Sequence, residues 1–260
     1  MNDYLISDPA ERKKRAEQKE AWVLEFLRDE IYSTTAILAV EMAVGERAAR
    51  DVLARMEKRG LLVRDEIRFM GSRAIPLWGI TTAGVLEGLT PEEVATVNLR
   101  YHTPGRISPL TIEHTLSVQR CRQYCELEMD CEDWVPTRRL PAQNEKKNHP
   151  ARWPVYPDGL LMRPSTSGQL VPFAVEVERT RKTPLRYVQI IRGHLANIEK
   201  NRYRRIMYFC PRQRDCESLQ ALFLRLMHEK KITLWVGEDQ RYGADECIKL
   251  FHFKSMESFK

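Results

Sequence analysis

Between residues 156 and 182 the chain reads YPDGLLMRPSTSGQLVPFAVEVERTRK. The pattern predicts two short strands joined by a turn around Ser165, Ser167 and Gly168. Asp158 falls on the first strand, and Glu176 and Glu178 fall two apart on the second. Strand side chains alternate between faces, so both glutamates project from one face of the hairpin. Asp158 can reach the same place from the neighbouring strand. The flanking Val171, Phe173, Ala174, Val175 and Val177 form the apolar, β-rich frame expected of a central strand. Three carboxylates inside such a frame are costly unless they are paired or bind a metal. A hard divalent cation such as Mg²⁺ takes an oxygen cluster of this kind, with waters completing its shell. The competing reading is an acid-rich hairpin whose ExE face is simply solvated.

The rest of the chain sets limits on that site. Its 260 residues suffice for two modest domains. No apolar run approaches the roughly 18 residues of a membrane span, and residues 1–15 lack the apolar core of a signal peptide. These features predict a cytoplasmic chain without membrane insertion. The six cysteines form no CxxC pair and read as reduced thiols, with a zinc site from Cys121, Cys125 and Cys131 as the alternative. Net charge is +6, unevenly spread. Residues 1–100 hold 15 Lys/Arg against 17 Asp/Glu, and residues 101–260 hold 27 against 19. The basic excess therefore lies in the half that carries the carboxylate hairpin, which suits a polyanionic substrate held around a metal. The plainer explanation is solubility.

In the first half, residues 9–31 become amphipathic through Trp22, Val23, Phe26, Leu27 and Ile31. Ser33 can cap a second helix running to about Met42. Gly45 opens a third, with Ala49, Val52, Leu53 and Met56 inside and Arg47 and Arg50 outside. LLVRDEIRF and AIPLWGIT then read as a hairpin turning through residues 70–73. Three helices followed by a two-stranded wing resemble a winged helix-turn-helix, in which residues 48–58 would be the recognition helix facing the major groove. The half is slightly acidic, so an architectural or dimerisation role stays open beside DNA contact. Residues 81–109, rich in Gly and Pro, read as a linker with helical pieces. They place a boundary near 105, giving domains 1–105 and 106–260.

In the second half, residues 110–129 read as a helix and 134–140 as a strand. Residues 141–152 form a basic loop holding Lys146, Lys147, His149 and Arg152, and the two acidic strands follow. Thr183 and Pro184 start the next helix, as N-cap and first residue. Val188, Ile191, Leu195 and Ile198 are its core stripe, leaving Arg186, Gln189 and Arg192 for other faces. RIMYFC (205–210) is a buried strand. Residues 213–230 form a helix on Leu219, Leu222, Phe223 and Leu226. ITLWVG (232–237) is a further strand, and a short strand is expected at 248–253. Crossover helices between strands imply a mixed sheet with helices packed on it. Tyr187, Tyr203 and Tyr208 read as packing groups rather than covalent nucleophiles.

This order, with PD on one strand and acids on the next, resembles the PD-(D/E)XK nuclease superfamily over about residues 110–237. The overall class is thus α/β (α+β overall), a winged helix-turn-helix followed by a PD-(D/E)XK-like mixed-sheet nuclease domain. Asp158 matches the superfamily's first acid and Glu176 its second. Glu178 stands where a lysine is usual, which leaves the amine to Lys182, Lys146 or Lys147, or makes Glu178 a third ligand or a base. The whole-chain layout adds "EHTLSV", "PDG" and "EVERT" after the winged helix. In this it is similar to the replication-relaxation family and to MobC-type plasmid relaxases, and it lacks the histidine cluster of ordinary relaxases. The resemblance implies a Mg²⁺- or Mn²⁺-dependent DNA-nicking endonuclease acting at a plasmid or mobile-element origin, for mobilisation or replication. Asp158, Glu176 and Glu178 would hold the metal. Asp158, Glu176, Glu178 and Lys182 would carry the chemistry. Arg47, Arg50, Lys146, Lys147, Arg179, Arg181, Gln189 and Arg192 would contact double-stranded DNA, and Glu113 or His114 would be accessory. Accessory mobilisation or coupling proteins and a homodimer complete the implied partners. The alternatives are a DNA-binding regulator of transcription or replication whose nuclease core is inactive, and a restriction-like enzyme cutting both strands.

Overall fold

The computed structural model describes residues 8–68, 74–141, 149, 151–165, 168–236 and 240–259. It is mixed α/β and divides into two compact units, residues 1–119 and 120–260.

The first unit opens with α1 (Pro9–Glu30), capped by Asp8 with proline at its first position. Strand β1 (Tyr32–Ser33), α2 (Thr35–Glu41) and α3 (Glu46–Lys58) follow, then β2 (Leu62–Ile67) and β3 (Ile75–Ile80). The three strands form one antiparallel sheet in the order β1-β3-β2. The cap of α2 is Thr34, not the expected Ser33. Ser33 is held in β1 opposite Trp78, and its buried hydroxyl donates to Gln119 Oε1 at 2.7 Å. The inner stripe of α3 is the expected one: Ala49, Val52, Leu53 and Met56 are buried, while Arg47 and Arg50 are exposed. The turn expected at residues 70–73 lies outside the described residues.

Residues 81–109 are more than a linker. They form α4 (Thr82–Leu86) and α5 (Pro91–Thr96), capped by Thr81 and Thr90. His102 is buried with Nε2 2.9 Å from Asp65 Oδ2, and the Gly105 N–H donates to the same oxygen at 3.0 Å. A buried histidine seated on a carboxylate ties this stretch to β2. The helix α6 (Pro109–Glu128) contains the point where the two units divide. Ile112 and Leu116 belong to the first core, so the division falls later than the Pro- and Gly-rich stretch suggested.

The second unit is built on a five-stranded mixed sheet. Its strands are β4 (Glu132–Pro136), β5 (Gly159–Pro164), β6 (Leu170–Val177) and β7 (Arg205–Cys210), with β10 (Phe251–Ser255) on the far edge. The order is β10-β7-β6-β5-β4; β4, β5 and β6 are antiparallel, whereas β6, β7 and β10 are parallel. Helix α7 (Pro184–Glu199) is the crossover from β6 to β7, capped by Thr183. Helix α8 (Gln213–Glu229) leaves β7. The strand expected at 232–237 is β8 (Leu234–Val236), and it stays out of the main sheet. It pairs with β9 (Gln240–Tyr242) as a separate hairpin, ahead of the short α9 (Ala244–Cys247). β10 takes the edge of the main sheet instead. Phe251 and Phe253 pack edge-on against Phe223 and beside Tyr208, whereas Trp235 of β8 is 50% exposed. Aromatic burial therefore decides which segment completes the sheet. The six cysteines are free thiols and all buried. No helix among the described residues is long and apolar enough to cross a membrane.

Two glycines shape the β5–β6 hairpin. Gly168 in the turn has φ +76°, a left-handed conformation that side chains disfavour. Gly159 opens β5 where a Cβ would lie 2.3 Å from Cη2 of Trp134. Gly159→Ala should therefore cost about 2–3 kcal/mol, or roughly 5–10 °C in Tm, by overpacking. A melting temperature unchanged from wild type would mean that the indole yields freely.

Candidate active site

The β6 ladder fixes the acids first. Glu176 lies opposite Tyr208 of β7, and the Glu178 N–H extends the ladder by donating to Phe209 O at 2.8 Å. Asp158 sits one residue ahead of β5, where the ladder stops at Gly159 and Val175. Its backbone N–H donates to Val175 O at 2.9 Å, and its Oδ2 accepts from the Val177 N–H at 2.8 Å. Asp158 is thus pinned to β6 on both sides of Glu176, by its backbone N–H at Val175 and by its carboxylate at Val177. In the Pro-Asp-Gly sequence the proline stays outside the strand and the glycine opens it, so that the aspartate falls at the strand's start.

Glu178 has a different environment. Both its oxygens accept from Lys182 Nζ, at 2.7 and 2.6 Å. The Tyr187 hydroxyl also hydrogen-bonds it, while the same hydroxyl accepts from the Lys182 backbone N–H at 3.0 Å. Glu178 is buried, and that burial raises its pKa despite the pairing to Lys182. Lys182 keeps 38% of its side chain exposed. The amine of Lys182, four residues along the chain, is therefore held against Glu178.

A buried polar chain backs Glu176. Arg202 donates to Asn197 Oδ1 at 2.8 Å, which fixes the amide's orientation. Asn197 Nδ2 donates to Val155 O and to the Tyr203 hydroxyl, each at 2.9 Å. With that acceptor position filled, the Tyr203 hydroxyl donates to His194 Nδ1 at 2.7 Å. The proton of His194 is thereby assigned to Nε2, which lies 3.1 Å from Glu176 Oε1, off good hydrogen-bond alignment. Full burial lowers the His194 pKa to about 3, so the ring is neutral. Next to it the fully buried Tyr208 hydroxyl has no hydrogen-bond partner among the described residues. Burial foremost, and then the charges of Glu176, Glu178 and Asp158, hold that phenol well above its ordinary pKa.

The sequence-predicted residues are distributed as follows. Asp158, Glu176, Glu178 and Lys182 come together at the β5–β6 end. Arg181 is close by, donating to Ser218 Oγ, and Arg179 is half-buried. Gln189 and Arg192 are on the exposed side of α7, where Gln189 accepts from Arg186 at 3.2 Å. Glu113 and His114 belong to the first unit, whereas the acids belong to the second. Lys146 and Lys147 lie outside the described residues. Sequence reading missed His194, Asn197 and the polar role of Tyr203. The available signal was His194 three residues after Ile191 and seven after Tyr187, inside the apolar stripe of α7.

Asp158 and Glu176 fit a hard divalent cation, since Mg²⁺ is commonly held by one or two carboxylates with substrate phosphates and water completing its shell. Glu178 fits less well, because Lys182 occupies both its oxygens. Among the described residues no group of three or more His, Cys, Asp or Glu side chains is arranged to hold a metal. No protein-family model, curated protein or solved structure matches the chain.

Proposed function

We propose that the chain is a metal-dependent DNA-nicking endonuclease of relaxase type, with a winged helix in its first unit selecting the site. One observation carries this reading. Asp158 is fastened on either side of Glu176, and Lys182 reaches the carboxylate two residues further along the same strand. Two acids and an amine at one end of a mixed sheet are the groups that a PD-(D/E)XK nuclease needs. The resemblance to the replication-relaxation family and MobC-type relaxases supports an origin of mobilisation or replication as the target. Asp158 and Glu176 would hold Mg²⁺ or Mn²⁺, which when bound supplies charge neutralisation at the scissile phosphate and an activated water. Glu178 holds Lys182 in place, and the exposed part of Lys182 faces an approaching phosphate. His194, oriented by Tyr203, packs behind Glu176.

The second reading is a DNA-binding regulator whose nuclease core is inactive, favoured by the closure of Glu178 on Lys182. The two readings separate on supercoiled plasmid carrying the DNA that flanks the coding sequence, incubated with Mg²⁺ or Mn²⁺. Open circles support nicking, linear product means double-strand cutting, and unchanged plasmid with retained binding selects the regulator.

The first unit bears on site choice. Arg47 and Arg50 are exposed on the first turns of α3. Replacing both by alanine should weaken cognate binding by about 1–3 kcal/mol per lost base-edge contact and random-DNA binding much less. Equal losses on both DNAs would reduce the arginines to backbone contacts, and no loss on either would make α3 architectural.

A further inference from the structure

Beside the acids lies a pocket of about 460 Å³, lined by Arg181, Lys182, Pro184, Ser218, Leu222 and Arg225, with Ala221 between the last three. Ser218, Ala221, Leu222 and Arg225 follow the i, i+3, i+4, i+7 spacing and therefore form one face of α8. That face stands against the start of α7, where Thr183 caps the helix and Pro184 is its first residue. Three cations line the pocket and, among the described residues, no carboxylate does. Two of the cations are already oriented: Arg181 donates to Ser218 Oγ, and Lys182 is held by Glu178. Arg225 is looser, 3.8 Å from Glu229 in an exposed pair.

We propose that this pocket binds one nucleotide of a single DNA strand, with its phosphate on Arg181, Lys182 and Arg225 and its base against Pro184, Ala221 and Leu222. The volume falls in the range of small-ligand pockets, and a bare anion would leave the apolar wall without a role. Positive grooves with an adjoining base platform are the usual means of holding single strands. Lys182 belongs both to this pocket and to the acid cluster, so a strand seated here continues into the cluster. The proposal deepens the nuclease reading by naming a subsite for the strand beside the acids. It rests on that reading for its choice of ligand.

The test uses the full chain and fluorescein-labelled (dT)₁₂, followed by fluorescence anisotropy in EDTA. Binding there needs neither metal nor cleavage. A failure to bind overturns the pocket and leaves nicking to be judged on plasmid, and a failure to nick leaves the pocket untouched. Arg225→Glu and the milder Arg225→Gln should each weaken binding about tenfold or more, the size of one lost charge-assisted contact. Leu222→Ala should weaken it about threefold through lost apolar contact. Arg214→Glu makes the same charge change on an exposed residue of α8 outside the pocket, and should cost much less than Arg225→Glu. Wild-type binding by both Arg225 variants overturns the proposal. So does an equal loss in Arg214→Glu, which would mean diffuse attraction only. Thymidine monophosphate should compete better than inorganic phosphate. Equal competition removes the base wall from the account.

Discussion

Asp158→Asn should lower metal-dependent nicking by about a thousandfold or more while leaving DNA affinity within about twofold of wild type. Loss of a metal ligand removes several kcal/mol of charge stabilisation, and each 1.4 kcal/mol is about tenfold in rate. Asparagine is the informative replacement because its side-chain oxygen can still accept from the Val177 N–H, the bond that fastens Asp158 to β6. The hairpin then stays intact, and a lost rate reports on charge rather than on folding. Glu176→Gln should behave alike, since a neutral amide next to neutral His194 keeps the packing. The measurement is open-circle formation from supercoiled plasmid over a range of Mn²⁺ concentrations, with binding followed separately in EDTA. If either variant nicks at the wild-type rate, that carboxylate is not a ligand and the two-acid metal site is wrong.

Glu178→Lys should unfold the site rather than improve it, although it restores the lysine of the familiar E-x-K order. The new ammonium would lie in a buried position already facing Lys182 Nζ, with the Glu178 counter-charge gone. An uncompensated buried charge costs about 3–5 kcal/mol, or roughly 6–20 °C in Tm, and nicking should be lost with it. Robust nicking at a normal melting temperature would overturn this and make Lys182 dispensable. Glu178→Gln probes the same pair more gently. The folded-state pKa of Glu178 is raised, with burial as the leading cause. Its stabilising contribution is therefore complete below the unfolded glutamate pKa and is lost as pH rises through the folded value. The Tm of wild type minus that of Glu178→Gln should accordingly grow as pH falls from neutrality towards the ordinary glutamate range. A difference that shrinks on acidification would mean that Lys182, not burial, dominates the pair.

The first core and the β5–β6 hairpin were legible in the sequence because each is specified locally. The α3 stripe follows from helical period, and the alternation around Glu176 and Glu178 follows from strand period. The association of Lys182 with Glu178 was only half legible. The four-residue spacing allowed it, but the commitment of both oxygens depends on Tyr187 and on burial, which come from the crossover helix. β10 was underrated because its partners, Phe223 and Tyr208, are distant in sequence, while ITLWVG looked more like a strand by composition alone. His194 was passed over for the opposite reason. A histidine within an apolar stripe carries no mark of its tautomer, which here depends on Tyr203 nine residues away and on the amide of Asn197.

That fixed tautomer has a kinetic meaning. A histidine near a reacting phosphate is the habitual candidate when a pH–rate profile bends between pH 5 and 8. Here the ring stays uncharged down to about pH 3 and its Nδ1 is already engaged. Across the range in which nicking would be assayed, His194 neither takes up nor releases a proton. Any inflection near neutrality must then originate in the attacking water, in the substrate or in another side chain, and His194→Gln should leave its midpoint where it was.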